Sequence, residues 1–416
     1  MNLSRHIFSY SMANIINSAV PFFLLPVLTS YLNPAEFGTL SLIQLLLTLA
    51  LPFVLMNVHG LFMIEFSKLS REDFISFTST MIWIPVLGFL ALEVIFLFFS
   101  TYISNLFNIP EKWVLYTPIF VLFQSIPMMI PVLFQAKKQP LNYAFFKIAL
   151  TIANFGISIL LVVVFLEGWE GRIWGIFLSY LLFTVIGLFI LYRLELLRLS
   201  ISFTFMKSAM KFGLPLIPHT LAGVLLAMSD RIFLANMLGV EEVGIYSVAF
   251  QMGSMVTIIM SSINQAWVPH LYELLNNNPS FDDKEKIVIQ TYKIMLLMTG
   301  ITLVFILIIP FVFKMFIDVK YYSGINLSRL IAIAFLFQGF YFMVTNYIFY
   351  VKKTHLLSML TISAAAVLMT LNYVMIPIYG MYGSAYAMIT GYILWFILTF
   401  LIANKVYKMP WRLKNV

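Results

Sequence analysis

The sequence contains no cysteine, and only 10% of its 416 residues are charged. Without cysteine, neither a disulfide framework nor a thiolate metal site is available. The five histidines are scattered and show no HExxH-like pairing, so we predict neither a zinc site nor a cofactor. A soluble domain carries roughly 25% charged residues, so this chain does not have the composition of a water-exposed surface.

Hydrophobic residues, in contrast, make up 62% of the chain and gather into long apolar runs. A bilayer core about 30 Å thick requires about 20 apolar residues of helix, which is the length of these runs. Turn-forming residues such as Asn33-Pro34 and Asn276 to Pro279 separate them. We therefore predict an all-α integral membrane protein of about 12 transmembrane helices. The predicted spans lie near 11–32, 39–64, 77–99, 113–136, 143–166, 172–192, 213–236, 244–268, 289–315, 328–351, 355–378 and 382–404.

The beginning of the chain is a short polar lead, residues 1–10, that contains Arg5 and His6. It runs directly into the first apolar run, and no small-residue cleavage pattern follows it. We therefore predict a retained first span and not a removed signal peptide.

The 25 basic and 17 acidic residues give a formal net charge of +8. Because Lys and Arg accumulate in cytoplasmic loops, their positions predict the topology. With the N-terminus inside, 18 basic residues fall in inside segments and only five fall outside. Both termini are thus predicted to be cytoplasmic, and no nucleic-acid partner is expected. The five outside residues are Lys112, Arg172, Lys314, Lys320 and Arg329.

An internal repeat is visible when the sequence is shifted by 206 residues, which places Leu28–Leu42 on Leu234–Val248. Both stretches are predicted outside turns between the first two spans of a half. The identical pairs are Leu28/Leu234, Leu32/Leu238, Glu36/Glu242, Gly38/Gly244 and Ser41/Ser247. A second, weaker sequence similarity links the segment from Asn154 to Gly175 with that from Asn372 to Gly383.

The repeat predicts two six-helix bundles, residues 1–200 and 201–416. Six spans are an even number, so the two bundles share one orientation and are related by a pseudo-two-fold axis along the membrane normal. A central cavity that opens by rocking of the two bundles is the architecture of a transporter.

Ionisable residues within predicted spans are functional candidates by default, because charges in lipid are costly. Lys147 lies early in span five, and Thr151, Asn154 and Ser158 follow it on one helical face. This polar stripe is expected to face the cavity. In the alternative interpretation, Lys147 extends to the cytoplasmic headgroups.

Span seven carries His219 and Asp230 on one face, after Pro215 and Pro218 at its start. Asp230 and Arg231 are adjacent, so they are expected to point about 100° apart and not to form a simple facing pair. Either residue is a candidate for the cavity, with headgroup anchoring as the alternative.

Two further groups complete the candidates. Gln251 belongs to a polar face of span eight that either lines the cavity or bonds neighbouring helices. Glu93 in span three is either a proton-linked carboxylate or an interface residue. Prolines within spans bend helices and free carbonyls, so they are candidate hinges or packing kinks. These prolines are Pro21, Pro26, Pro127, Pro131, Pro215 and Pro218.

Several stretches resemble the Wzx-type O-antigen or polysaccharide flippases of the multidrug/oligosaccharidyl-lipid/polysaccharide (MOP) exporter superfamily. They are Lys211 to Pro218, Ser229 to Phe233, Gly239 to Ala249, Leu25 to Gly38 and Asn372 to Ala387. The matching stretches lie in both halves of the chain, at the spacing that is typical of this family.

This resemblance implies translocation of undecaprenyl-diphosphate-linked sugar repeat units across the bacterial inner membrane by alternating access, with coupling to an ion gradient. Asp230 and Glu93 are then the candidates for ion coupling. The candidates for substrate binding are Lys147, Asn154, His219, Asp230, Arg231 and Gln251. It also implies a polyprenyl-diphosphate-linked oligosaccharide and the lipid bilayer as partners, with other polysaccharide-assembly membrane proteins as further candidates.

The nearest alternative is a cation-coupled multidrug exporter of the same fold, which favours buried carboxylates over cations. Peptidoglycan-precursor flippases are another relative, but they usually carry extra C-terminal spans. A membrane glycosyltransferase or O-antigen polymerase is expected to have a large outside loop or acidic catalytic pairs in early outside loops. Here the first outside turn has only Glu36, and no outside loop is large. The chain is therefore predicted to be a transporter and not an enzyme.

Overall fold

The structure is a computed structural model that describes residues 21–198, 201–277 and 279–412. Within these residues nearly every segment is helical and no strand is formed, so the predicted all-α fold is confirmed. A π-helical segment, Leu160–Val164, extends α6, and a 3₁₀ turn, Val319–Tyr321, follows α12. The helices are α1 (described over Pro21–Tyr31), α2 Pro34–Leu55, α3 His59–Glu65, α4 Arg71–Phe107, α5 Glu111–Ala136, α6 Pro140–Ile159, α7 Gly168–Arg193, α8 Phe203–Gly213, α9 Leu216–Met228, α10 Asp230–Met237, α11 Val240–Asn276, α12 Phe281–Phe316, α13 Gly324–Tyr350, α14 Thr354–Tyr379 and α15 Met381–Val406.

Among the described residues, ten helical segments are long and apolar enough to cross a membrane. They contain 25 to 37 residues each, which at 1.5 Å per residue is roughly 38 to 55 Å and exceeds the hydrocarbon core. They correspond to the second to sixth and the eighth to twelfth predicted spans, with α2 and α3 together forming one of them. The first predicted span, 11–32, lies largely outside the described residues, and α1 is its described part.

The seventh predicted span, 213–236, is not one continuous helix. Helices α8 and α9 meet at a bend of 40°, and counting this pair as one span gives up to eleven. Pro215 explains the bend, because proline lacks an amide hydrogen and its ring clashes with the preceding turn. A second break at Ser229 separates α9 from α10. Residues 193–212, predicted as an inside loop, therefore contain most of α8.

The chain divides into two compact units, Met1–Val224 and Leu225–Val416. The boundary falls within α9 because α8 and the start of α9 pack on the first unit. The Gly213 backbone lies directly against the carbonyl oxygen of Met56. Compact units defined by contacts within the structure need not coincide with a sequence repeat. The division into bundles 1–200 and 201–416 therefore stays a prediction.

The two turns that match in sequence begin their following helices in comparable ways. Asn33 and Glu36 form a capping box at the start of α2, each side chain accepting from the other's backbone N–H. In the second unit Gly239 precedes α11 with φ +121°, a conformation that favours glycine, and Glu242 takes the place of Glu36. The same helix start is thus reached by a side-chain cap in one unit and by a glycine in the other.

The last two spans of each unit cross closely at a glycine. A Cβ atom placed on Gly175 of α7 would lie 2.7 Å from the Cα of Ser158 on α6. A Cβ atom on Gly383 of α15 would lie 2.7 Å from the Cα of Ile376 on α14. Because real Cβ atoms do not approach other atoms so closely, both crossings require glycine.

Candidate functional site

A polar cluster joins α6 to α7 in the first unit. Nη1 of Arg172 donates hydrogen bonds to Oδ1 of Asn154 at 2.7 Å and to Oγ of Ser158 at 2.5 Å. Nδ2 of Asn154 in turn donates to Oγ of Ser179 at 3.1 Å. Two members of the predicted polar stripe of α6 therefore face an arginine of the neighbouring helix, and the expectation that the stripe faces the cavity stays a prediction.

The sequence places Arg172 among the outside basic residues, at the start of the sixth predicted span. In the structure it is the fifth residue of α7 and is half-buried. A charge at the edge of an apolar run is compatible with a loop or with a helix, so the run alone does not identify this residue as a site. A signal was present, since Arg172 lies inside the repeated segment that ends at Gly175.

Lys147 contacts an aromatic residue of its own helix. Its Nζ donates to the hydroxyl of Tyr143 at 3.2 Å and lies 5.2 Å from the centre of that ring. Tyr143 is one turn closer to the start of α6, the predicted cytoplasmic end. This geometry agrees with a lysine that extends towards the headgroups, and its role in substrate binding stays a prediction.

The second unit contains a buried ion pair within α10. Arg231 donates its backbone N–H at 2.8 Å and its Nη1 at 3.1 Å to Oδ1 of Asp230. The expectation that these neighbours cannot face each other was therefore wrong. It assumed a continuous helix, whereas α10 begins at Asp230 after the break at Ser229, which leaves the aspartate side chain free to turn back.

Aromatic side chains enclose this pair. The hydroxyl of Tyr246 on α11 donates a short hydrogen bond to Oδ2 of Asp230. The guanidinium of Arg231 lies 4.6 Å from the centre of the Phe250 ring, a cation–π distance. Asp230 and Arg231 are both about 95% buried. The pair thus stabilises its charges internally and largely away from water.

Several polar atoms, close to this pair along the chain or on helices that pack against α10, have no hydrogen-bond partner among residues 21–198, 201–277 and 279–412. The atoms concerned are Nε of Arg231 and both amide atoms of Asn372, which is 1% exposed. Hydroxyl oxygens of Ser229, Ser247 and Ser384 are also without partners. Buried polar groups are normally satisfied, so this neighbourhood has the capacity to bind water or a small ion.

The remaining candidates lie apart from these two clusters. His219 is exposed on α9, on a face where Gly223 has open space around it. Gln251 is half-buried on α11 and belongs to the second unit. Glu93 on α4 is half-buried, and its Oε2 is enclosed with no partner among the residues that the structure describes. The substrate-binding role of His219 and Gln251 and the ion-coupling role of Glu93 stay predictions.

The candidate hinge prolines differ in their surroundings. Pro127 and Pro131 lie inside the continuous helix α5. Pro127 frees the carbonyl of Phe123, which accepts a hydrogen bond of 2.6 Å from the hydroxyl of Thr184 on α7. Because this carbonyl is already hydrogen-bonded to α7, the geometry at Pro127 agrees with a packing kink.

The other hinge candidates lie at or near helix ends. Pro215 lies at the bend between α8 and α9, with Pro218 just beyond it. Pro21 begins the described part of α1, and the carbonyl of Pro26 accepts hydrogen bonds from the hydroxyls of Thr29 and Ser30. The hinge role of all six prolines stays a prediction.

Among the described residues, no three His, Asp or Glu side chains come together in a way that could hold a metal ion. The chemistry of the two clusters is that of binding: hydrogen-bond donors, charges and aromatic faces.

Comparison with protein families and curated proteins identifies the following similarities. A family model described as polysaccharide biosynthesis protein matches residues 3–275. Lsg locus putative protein 1 of Haemophilus influenzae (strain ATCC 51907 / DSM 11121 / KW20 / Rd) is 27% identical over 380 residues, which is 88% of each chain. An uncharacterized membrane protein of the same strain is 28% identical over 386 residues, covering 90% of this chain and 89% of that protein.

Solved structures resemble this fold along nearly the whole chain. The lipid II flippase MurJ in an inward closed conformation has a TM-score of 0.71 at 14% identity, covering 95% of this chain and 87% of that one. A multidrug resistance MATE family transporter of the MOP superfamily, in its inward-facing conformation, has a TM-score of 0.67 at 13% identity and covers 93% and 94%. At such identities the likeness establishes the fold, that of a multi-pass membrane protein.

Proposed function

Since this chain belongs to the polysaccharide biosynthesis protein family, we propose that its cargo is the undecaprenyl-diphosphate-linked repeat unit of an O-antigen or a related polysaccharide. The protein moves this unit from the cytoplasmic to the periplasmic leaflet of the bacterial inner membrane by alternating access. Its role is that of a membrane transporter, consistent with the MOP-type fold and the Wzx-type resemblance.

The family match over residues 3–275 is the observation that carries this proposal. The fold adds support, because one protein with a similar fold is by its name a lipid II flippase. Lipid II and the proposed cargo pose the same physical problem. A charged, sugar-bearing head must cross an apolar core about 30 Å thick, while the lipid tail remains in hydrocarbon.

The polar side chains within the units suit such a head. A diphosphate is bound best by cations and by N–H donors, and sugar hydroxyls by amide and hydroxyl groups. The side chains that we propose for cargo binding are Lys147, Asn154, His219, Asp230, Arg231 and Gln251. Of these, Asn154 is already positioned by hydrogen bonds, and His219 is exposed and available.

Transport is proposed to be coupled to an ion gradient through Asp230 or Glu93. Asp230 is a buried carboxylate on α10, and the helices packed around it carry unpartnered polar atoms such as those of Asn372. Glu93 has an enclosed oxygen without a partner. A proton or a small cation bound at either carboxylate would change the charge of a unit during the transport cycle.

A multidrug exporter is the second candidate function, and the same carboxylates favour it. The fold is also that of MATE family transporters. The two functions differ in what accumulates when the protein is absent: the lipid-linked repeat unit in one case, the exported drug in the other. Other polysaccharide-assembly membrane proteins are proposed as partners of the flippase.

The proposal is tested by deleting the gene in its own host and complementing with this chain. We expect surface polysaccharide to disappear in the deletion strain, and the lipid-linked repeat unit to accumulate on the cytoplasmic side. Complementation should restore export, and drug sensitivity should stay unchanged. Arrival of the repeat unit in the periplasm without this protein would contradict the proposed function.

The cargo-binding role of Lys147 is tested in the same strain. Lys147→Ala is expected to lower surface polysaccharide several-fold because a cation near the entrance of the bundle is lost. Lys138→Ala removes a charge from an exposed loop position and serves as the matched control. The amount of protein in the membrane is measured for both variants. Full export by Lys147→Ala would remove this residue from the proposed site.

A further inference from the structure

The guanidinium of Arg172 is a charge on a membrane-length helix, and no counter-charge is found for it in the described part of the chain. Among the residues that the structure describes, no carboxylate lies within ion-pair distance of it. Its partners, Asn154 and Ser158, are neutral. Neutral partners satisfy hydrogen-bonding capacity but leave the positive charge of an arginine uncompensated, and such a charge is costly inside a membrane.

The side chain also points away from the nearer membrane surface. Arg172 is the fifth residue of α7, close to the predicted outer end, and a helical side chain there normally leans outwards to reach headgroups. Its guanidinium instead binds Asn154, which bonds to Ser179, seven residues further along α7. Seven residues are roughly 10 Å of helix. An arginine that only anchored the interface would reach in the opposite direction.

The surroundings of the guanidinium leave binding capacity unused. Nε of Arg172 is buried and has no hydrogen-bond partner in the described part of the chain. Tyr180 of α7 lies close enough to interact electrostatically with the guanidinium, and Gln124 of α5 forms a hydrogen bond with Tyr180. The residue is nevertheless only half-buried as a whole, so part of the side chain is accessible. The guanidinium is planar and held in place, and one of its N–H donors is unused. Such a group is suited to bind the oxygen atoms of a phosphate.

An apolar groove lies along α6, the helix whose Asn154 and Ser158 hold the Arg172 guanidinium. It has a volume of about 370 Å³, runs between α1 and the outer half of α6, and begins one residue after Ser158. Its lining is almost entirely apolar. The lining residues are Pro26, Val27, Ser30, Tyr31, Ile159 and Val163. A cation beside an apolar groove suits a ligand that has an anionic head and a hydrocarbon chain.

We propose that Arg172, held by Asn154 and Ser158, is a binding site in the first unit for the phosphate group of a lipid. This inference rests on the proposed function, because it assigns the diphosphate of the lipid-linked cargo to that arginine and the start of its polyprenyl chain to the groove. The arginine fork supplies two donors to the phosphate oxygens, and the bound anion supplies the missing counter-charge.

Binding to the full-length protein in phosphatidylcholine nanodiscs tests the site. The probes are undecaprenyl diphosphate, undecaprenol, which lacks the phosphates, and inorganic pyrophosphate, which lacks the chain. We expect Arg172→Gln to weaken binding of undecaprenyl diphosphate at least tenfold and to leave undecaprenol unchanged. Arg172→Lys keeps the charge but loses the fork, so we expect a loss of about threefold to tenfold.

Arg329→Gln is the matched control. Arg329 is also a half-buried arginine, but its Nε donates to the carbonyl of Ile306, which Pro310 leaves without a helical donor. This role is structural, so Arg329→Gln should change diphosphate binding less than twofold. Thermal unfolding of every variant without ligand shows whether it is folded. If Arg172→Gln does not fold, Arg172→Lys decides the question.

Three results would overturn the inference. The first is wild-type affinity for undecaprenyl diphosphate in a folded Arg172→Gln or Arg172→Lys protein. The second is an equal loss for Arg329→Gln. The third, seen in nanodiscs that contain phosphatidylglycerol, is a loss of that phospholipid alone, which would assign the site to the bilayer and not to the cargo. Failure of the proposed function is distinguishable, because it shows as absent complementation by the unaltered chain.

Discussion

Each unit holds an arginine, Arg172 in the first and Arg231 in the second, and the two are held in opposite ways. In the first unit Arg172 is bound by an amide and a hydroxyl, and its charge is not balanced. In the second unit Arg231 forms an ion pair with Asp230 at 3.1 Å and stacks on an aromatic ring. The cluster in the first unit therefore offers a positive charge to an anion, whereas the ion pair in the second unit is neutral as a whole. The same residue type is thus an uncompensated cation in one environment and one half of an ion pair in the other.

This difference also separates two tasks of a transporter. A lone cation suits recognition of an anionic head, since the missing counter-charge is supplied by the ligand. A closed ion pair suits a switch, because a proton or cation that binds Asp230 would release Arg231 from its partner. We therefore expect cargo binding to depend most on the first cluster and ion dependence most on the second.

The largest effect is expected when the ion pair is broken. Asp230→Ala leaves Arg231 buried and unpaired, which should cost about 3–5 kcal/mol of stability. Arg172→Gln keeps a hydrogen-bonding side chain and removes an unbalanced charge, so it should cost about 1 kcal/mol or less. Thermal unfolding of the purified variants measures both effects.

The double variant Asp230→Asn/Arg231→Gln serves as the control for the ion pair. It removes both charges together and should recover most of the lost stability, because no buried charge is left without a partner. Equal losses for Asp230→Ala and Arg172→Gln would contradict the distinction between the two units.

An intermediate effect is expected at the glycine crossings that position α6 against α7 and α14 against α15. Gly175→Ala and Gly383→Ala each place a methyl group 2.7 Å from a backbone Cα, so each should cost about 1–3 kcal/mol. Gly175→Ala also displaces Ser158, so only this variant should weaken diphosphate binding. Stability is measured by thermal unfolding, and binding in nanodiscs.

Gly156→Ala on α6 is the matched control for these crossings, because nothing lies within 4 Å of the added methyl group. It should be neutral or slightly stabilising, since alanine favours the helix by about 0.5–1 kcal/mol. Equal loss of diphosphate binding in Gly175→Ala and Gly383→Ala would show that the binding site does not belong to the first unit alone.

The smallest effect concerns the carbonyl that Pro127 leaves without a helical donor. Thr184→Val removes the donor to Phe123 and should cost about 1 kcal/mol. In a Pro127→Ala background the helix restores its own donor, so the same substitution should cost less. A double-mutant cycle on thermal stability measures this coupling. Additive effects would mean that Thr184 does not compensate for the proline.

Much of the architecture was predictable from the sequence because hydrophobic length is a local property. Ten of the predicted spans correspond to membrane-length helices, and the turn at Glu36 and its repeat at Glu242 both begin helices. The seventh span was predicted less well, since the apolar run continues through Ser229 and gives no sign of the helix break there. Pro215 and Pro218 were visible signals, but they did not indicate the angle or the number of pieces.

The candidate sites were predictable only in part. A charge inside an apolar run identified Lys147, Asp230 and Arg231 as unusual, but not what each contacts. Arg172 was missed because it stands at the edge of a run, where the same charge is equally compatible with a loop. The direction of its side chain depends on Asn154, 18 residues earlier, and the sequence cannot specify that contact.

The sequence by itself determined that this chain is a helical membrane protein with a repeated turn, because lipid requires long apolar helices whatever their neighbours are. The tertiary structure alone decided which charges are balanced. Whether an arginine meets a carboxylate or an amide depends on helix breaks and on crossings as close as that at Gly175. These features bring together side chains that are distant in sequence, and the free energy of a buried charge is set by those contacts.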